Sequence, residues 1–231
     1  LGPSEASVNF QEWLKEEKKA ITEAASKKYE DAYKLANTKD KVKPENTAKF
    51  IDSIEEVLTR DVESVDTKRV TKIISDLAEA WGISSPDAIK IGGDNLVLKN
   101  EEMKKLLASF KKELPDISVQ RLIGVKKELG KTLEYEQNID GVKNLLNGAV
   151  IKDLQTSKNK DFVSNLRKAD KFFQKEVGDR VRLDIANAIT TGQNPKMAID
   201  YMSTPENIKK VKHLVGDSEE GKKVFDALRE A

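Results

Sequence analysis

The sequence contains no cysteine and only one histidine, and these two scarcities remove much chemistry at once. Without cysteine there is no disulfide, no thiolate nucleophile and no cysteine–zinc site, and the redox state of the compartment is left open. An excess of one charge sign is also missing. The 41 basic side chains face 40 acidic ones, so a formal net charge of +1 supplies no overall field to steer the chain onto nucleic acid or anionic lipid. No apolar run approaches the roughly 20 residues that a bilayer-spanning helix needs, and no charged-then-apolar secretory segment opens the chain. Leu1-Gly-Pro-Ser4 resembles the remnant of a cleaved purification tag, so residues 1–6 are expected to be disordered and the rest to be an excised piece of a longer polypeptide.

What is present is helical periodicity. At 231 residues the chain can bury a substantial core in one domain or two. Apolar residues recur at i, i+3, i+4 and i+7 nearly throughout, which predicts an all-α fold: a multi-helix bundle over residues 7–177 and a subdomain of short helices over 178–231. A first helix from Phe10 to Ala36 carries Trp13, Leu14, Ile21, Ala24, Ala25, Tyr29, Ala32 and Ala36 on one stripe and would be roughly 40 Å long. After a polar turn, Asn37 to Lys43, Pro44 opens a second helix with Phe50, Ile51, Ile54, Val57 and Leu58 inward. Asp66 caps a third, with Val70, Ile73, Ile74, Leu77 and Trp81 at helical spacing and Gly82 as its stop.

Ile83 to Lys99 is the least regular stretch and reads as a long connection, since Ser85-Pro86 and Gly92-Gly93 break any period. Leu96-Val97-Leu98 is open to pairing as a tiny strand, but three residues alone cannot make a stable sheet, so strand is the minor expectation here. Asn100 caps a helix with Met103, Leu106, Leu107, Phe110 and Leu114 inward, ended by Pro115. Ser118 starts the next, with Val119, Leu122, Ile123, Leu129 and Leu133. Another lies after Asn138, with Val142, Leu145, Leu146, Ala149, Val150 and Leu154. A long helix then holds Phe162, Leu166, Ala169, Phe173 and Val177, with Gly178 placed to bend or break it.

The last fifty residues carry the clearest punctuation. Asn194-Pro195 and Thr204-Pro205 each place a capping side chain before a proline suited to the first helical position, and Gly192 and Gly216 fall where helices must stop. A chain that folds back about every dozen residues, with no catalytic residue types at its bends, is being shaped for packing or docking.

Several patterns suggest sites, and in each a structural role is the better reading. Gly124 to Thr132 resembles a phosphate-binding loop, but five residues rather than four separate its glycines and the helical stripe runs straight through it. Gly92-Gly93-Asp94 lacks a second acidic ligand at loop spacing and reads as a turn. His213 stands among lysines on the exposed side of a short helix. Glu16 and Glu17 belong to a solvated face, and Glu101 and Glu102 to a first helical turn where negative charge is favoured. The basic clusters Lys15–Lys19 and Lys209, Lys210 and Lys212 are mixed with or close to acids and lack interleaved aromatics, so nucleic acid is a secondary expectation. The expected catalytic, cofactor-binding and metal-binding residues are therefore none. A groove for a partner helix is the main alternative to a purely internal packing role.

The order of helix motifs resembles one known family. It runs from Lys-Lys-Tyr29-Glu-Asp-Ala-Tyr33 through Val42-Lys-Pro44-Glu-Asn-Thr47 to Leu98-Lys-Asn-Glu-Glu-Met103-Lys-Lys-Leu106 and Val125-Lys-Lys-Glu-Leu129-Gly130. Leu166-Arg-Lys-Ala169-Asp-Lys-Phe172-Phe173, Ile189-Thr-Thr-Gly192-Gln-Asn-Pro195, Leu214-Val-Gly216 and Phe225-Asp-Ala-Leu228 complete it. This is similar to the helical region of large internal virion proteins and polyvalent proteins of tailed phages and prophages, over most of the chain. The resemblance implies a noncatalytic structural module within a longer polypeptide, packaged in the virion interior and ejected with DNA. Its implied location is the virion interior, the host cytoplasm during assembly, or the host envelope after ejection. Its implied partners are other virion proteins or other domains of the parent chain. Helical protein-binding or DNA-binding modules are the alternative, and part of a cell-wall-degrading virion enzyme is a further one. Catalytic domains of such proteins lie elsewhere in the parent, and no active-site residue carries over.

Overall fold

The computed structural model describes residues 2–50, 89–90, 96–97, 108, 116–132 and 140–231. The fold is all-α, with two short antiparallel ladders. In chain order its longer described helices are α1 (Pro3–Tyr33), α2 (Val119–Thr132), α3 (Asp140–Leu154) and α4 (Lys160–Phe172). Beyond them come α5 (Asp184–Thr191), α6 (Met197–Asp200), α7 (Pro205–Val215) and α8 (Glu219–Glu230). The expected helices after Asp66 and after Asn100, the Gly92-Gly93-Asp94 turn, and most of the helix after Pro44 lie outside the described residues. The chain divides into two compact units, residues 1–31 with 165–231, and residues 32–164. This differs from the expected division at residue 178: the apolar face at the start of α1 packs with the C-terminal helices, so the two ends of the sequence share a core.

In the first unit, α1 starts earlier than Phe10. Pro3 suits a first helical position because its missing N–H would have no helical partner, and Ala6 N–H makes the first turn's bond to Gly2 O at 3.0 Å. Residues 3–6, expected to be disordered, are thus helical, and Ala6 and Ser7 are fully buried. At its other end α1 stops at Tyr33 instead of Ala36, because Leu35 and Ala36 bond three residues back and tighten out of the α-helix.

Residues 160–181 form one continuous helical run of two kinds. Helix α4 passes into a π-helix over Phe173–Val181, and just past its end Arg182 N–H reaches back five residues to Val177 O at 2.9 Å. Gly178, expected to bend or break the helix, lies inside the π-helix and does not end the run. Val177 and Val181 close a small cluster with Ile21 and Ala25, flanked by Phe172 and Phe173.

Among the short C-terminal helices, a 3-10 turn, Tyr201–Ser203, connects α6 to α7. The start of α7 at Thr204-Pro205 is as expected: Thr204 Oγ1 accepts from Asn207 N–H at 3.2 Å. Asn194-Pro195 is different. Asn194 Oδ1 accepts from Lys196 N–H at 2.9 Å, an Asx turn, and α6 begins only at Met197. Gly192 stands after α5 with φ −68° and ψ 143°, so that helix ends in extended backbone with no left-handed cap. Gly216 does have positive φ, 57° with ψ −136°, close to the first central position of a type II′ turn, which glycine favours. Ser218 then caps α8 by accepting from Gly221 N–H at 3.0 Å. Ala6, Phe10, Trp13 and Leu14 pack with Ala186, Ile189, Ala198, Val211, Leu214, Phe225 and Leu228 to make this unit's core.

In the second unit, β1 (Lys41–Val42) pairs antiparallel with β4 (Ile117–Ser118), Val42 opposite Ile117. Likewise β2 (Ile89–Lys90) pairs with β3 (Leu96–Val97), so Leu96-Val97 is a strand where the sequence reads as a connection. Strand β1 finds its partner far along the chain, which no local pattern announces. Helix α2 presents Val119, Leu122, Ile123 and Val125 inward, and α3 does the same with Leu146, Ala149, Val150 and Leu154. Ser118 Oγ accepts from Arg121 N–H at 3.2 Å, the expected start of α2.

Candidate functional site

Buried charge is the natural place for chemistry, and of the three charged side chains buried among the described residues Lys126 donates to Tyr33 Oη at 2.8 Å, while Asp153 and Arg180 each form a hydrogen-bonded centre. Asp153, fully buried in the second unit, accepts four hydrogen bonds: from Asn46 N–H (2.9 Å) and Nδ2 (2.8 Å), and from Thr47 N–H (2.8 Å) and Oγ1 (2.6 Å). These backbone groups belong to the first turn of the helical stretch 45–50, where N–H groups have no helical partner. The carboxylate is thus a cap supplied from 106–107 residues away in sequence. Neither of its oxygens is left to take a proton from a substrate.

The second centre is Arg180 in the first unit, delivered by the π-helix and 8% exposed. Its Nε donates to Leu214 O at 2.9 Å and its Nη1 to Glu176 Oε2 at 2.6 Å, while Nη2 reaches Val215 O at 3.5 Å and lies 3.7 Å from Glu17 Oε2. The guanidinium therefore caps the C-terminal end of α7, where carbonyls lack partners and positive charge is favoured. It also lies close against Gly216, where a Cβ would fall 2.9 Å from Cζ. His213 stands beside this hub, exposed as expected, with Nε2 at 2.7 Å from Asp179 O.

A concave surface lies in the same unit, a groove of about 660 Å³ lined by Asn9, Glu12, Trp13, Glu16, Glu17 and Ala20 of α1 and by Ser218, Glu220 and Val224 on and just before α8. The two helices meet closely because Gly221 has no side chain: a Cβ there would be 2.5 Å from Trp13 Cζ2. Glu12 and Glu16 are one helical turn apart. Neither they nor Glu220 make an ion pair or side-chain hydrogen bond with any described residue, whereas Glu17 faces Arg180. Four carboxylates around an indole can hold cationic groups. Among the described residues, no cluster of three or more His, Cys, Asp or Glu is arranged to hold a metal ion.

The structure sorts the candidates read from the sequence. Gly124–Thr132 is helical, within α2, and not a phosphate loop. Glu16 and Glu17, expected on a featureless solvated face, line the groove. Within Lys15–Lys19, Lys18 is half-buried, donates to Asn187 Oδ1 at 2.9 Å, and has its pKa pushed down by burial and then by nearby Arg182. Lys209, Lys210 and Lys212 lie on α7, Lys210 at 3.5 Å from Glu206. Of these three, Lys209, Lys210 and Lys212 are all exposed. Glu101 and Glu102 lie outside the described residues. Sequence reasoning missed the groove. Its one local signal is the pair Glu12 and Glu16 flanking Trp13 on α1; the other wall comes from more than two hundred residues away.

No family model, curated protein or solved structure matches this chain. Among the described residues, no helix is long and apolar enough to cross a membrane.

Proposed function

We propose that this chain is a noncatalytic, all-helical structural module of a phage or prophage internal virion protein, one region of a longer polypeptide that is packaged and ejected during infection. The observation that carries the noncatalytic part is the use of buried charge. Asp153 takes all four of its hydrogen bonds from the first turn of a helix, and Arg180 directs two of its three at the C-terminal end of another, so both charges serve to fix helix positions. The virion part is supported by the order of helix motifs, from Tyr29-Glu-Asp-Ala-Tyr33 to Phe225-Asp-Ala-Leu228. The partners of such a module are other virion proteins or other domains of the parent.

Mass spectrometry of purified particles induced from the source genome tests the reading. Peptides of the parent protein inside particles are the expected result. Their absence from particles, with the protein abundant in induced cells, overturns it in favour of an intracellular binding role. Retention on immobilised DNA that falls steeply with salt would favour the DNA-binding alternative.

A further inference from the structure

We propose that the groove between α1 and α8 receives a lysine- or arginine-bearing segment of a partner polypeptide, independently of where the parent protein acts. Three features of the groove converge on that occupant. Its rim holds Glu12, Glu16, Glu17 and Glu220, three of which have no counter-charge among the described residues. Glu12 and Glu16 stand four residues apart on one helix, where like charges repel, so the fold itself assembles a site that cations relieve.

Trp13 supplies the second, independent feature. It lines the groove and is only 8% exposed, yet its indole N–H has no hydrogen-bond acceptor among the described residues. The indole N–H of a largely buried tryptophan ordinarily finds a hydrogen-bond partner. This separates the classes of occupant, because a metal ion or a protonated polyamine neutralises carboxylates but offers no acceptor. A peptide brings both an ammonium or guanidinium and backbone carbonyls. The third feature is the apolar part of the lining, Trp13, Ala20 and Val224, against which the methylene stem of a lysine or arginine can lie while its charge reaches the rim. Four carboxylates repel nucleic acid from the same surface. The groove's 660 Å³ is the size of a site for a few side chains.

The test tracks the Trp13 indole N–H signal in nitrogen-15 NMR spectra of the whole chain, assigned with Trp81→Phe. A synthetic amphipathic peptide with lysine on one face and leucine on the other is titrated at low salt, alongside the same peptide with glutamate for lysine. Saturable movement of the Trp13 signal by the lysine peptide alone is expected. In Glu12→Gln/Glu16→Gln/Glu220→Gln, binding should weaken about tenfold or more, the sum of three modest exposed charge contacts. Glu23→Gln/Asp226→Asn/Glu230→Gln, which removes as many exposed charges outside the groove, should leave it unchanged. An unchanged circular dichroism spectrum confirms that the groove variant is folded. No saturable shift with the lysine peptide, equal affinity in the groove variant, or an equal indole shift with spermidine alone would each overturn the proposal, the last reducing the groove to a counter-ion pocket.

Discussion

Replacing Asp153 with alanine should cost the protein about 3–5 kcal/mol, the cost of breaking a buried charged network by removing one side. The figure comes from the groups that the carboxylate holds. Its four hydrogen bonds, at 2.6–2.9 Å, all come from residues 46 and 47. A hydrogen bond to a charged group is worth about 1.5–3 kcal/mol net, so a simple sum would exceed the stability of many domains. Water entering the space left behind and movement of the Asn46 and Thr47 side chains recover part of it, which brings the value down to that range. Asp153→Asn should fall lower, about 2 kcal/mol, since one oxygen is kept while an NH₂ is turned towards groups that are themselves donors. The assay is urea unfolding monitored by far-ultraviolet circular dichroism, with Thr47→Val added to each background. If Asp153 and Thr47 act as one unit, the double variant should be less destabilised than the sum of the singles. A loss below about 1 kcal/mol for Asp153→Ala, or strict additivity with Thr47→Val, would refute the idea that this carboxylate caps the 45–50 helix.

Gly221→Ala should destabilise by about 1–3 kcal/mol, because the new methyl group would fall 2.5 Å from Trp13 Cζ2 and force the two helices apart; thermal unfolding should show the drop. Leu146→Ala should cost about 2–5 kcal/mol in denaturant unfolding, given a side chain only 1% exposed. Lys18 gives a pH dependence whose sign is fixed. Its pKa is held below the ordinary 10.5 in the folded protein by burial and then by Arg182, so the folded state binds fewer protons than the unfolded one as pH rises through that interval. The penalty for charging Lys18 is fully present below its folded pKa and fades towards 10.5, so stability should rise across that window. In Lys18→Met this contribution to the slope should vanish, and an identical pH profile in the two proteins would count against it.

Local signals were legible where the physics is local. Thr204-Pro205 starts a helix because one hydroxyl and one ring determine the first turn, and Gly216 breaks the chain because few other residues tolerate its backbone angles. The stripe Trp13, Leu14, Ile21, Ala25 and Ala32 is inward as its spacing implies. Asn194-Pro195 misled because the same Asn side chain that caps helices also closes an Asx turn, and both motifs begin with the same residue types. The extra residue per turn from Phe173 to Val181 has no composition of its own; it is fixed by bonds such as Arg182 to Val177. What could not be read was everything joined over long separations: Asp153 to Thr47, Val42 beside Ile117, and the two walls of the groove. Ser218 with Glu219 and Glu220 after it is a helix start that the sequence does carry, and it marks where the second wall begins.

The close contact of Trp13 with Gly221 also sets a timetable for synthesis. At roughly 5–20 residues per second, some ten to forty seconds separate the emergence of these two residues from a ribosome. Throughout that interval Phe10, Trp13 and Leu14, all buried in the finished protein, have no native covering from the C-terminal helices. A newborn chain of this sequence is therefore at its most adhesive early and loses that property last, so chaperone demand should track the arrival of residues 184–230 and not the length of chain already made.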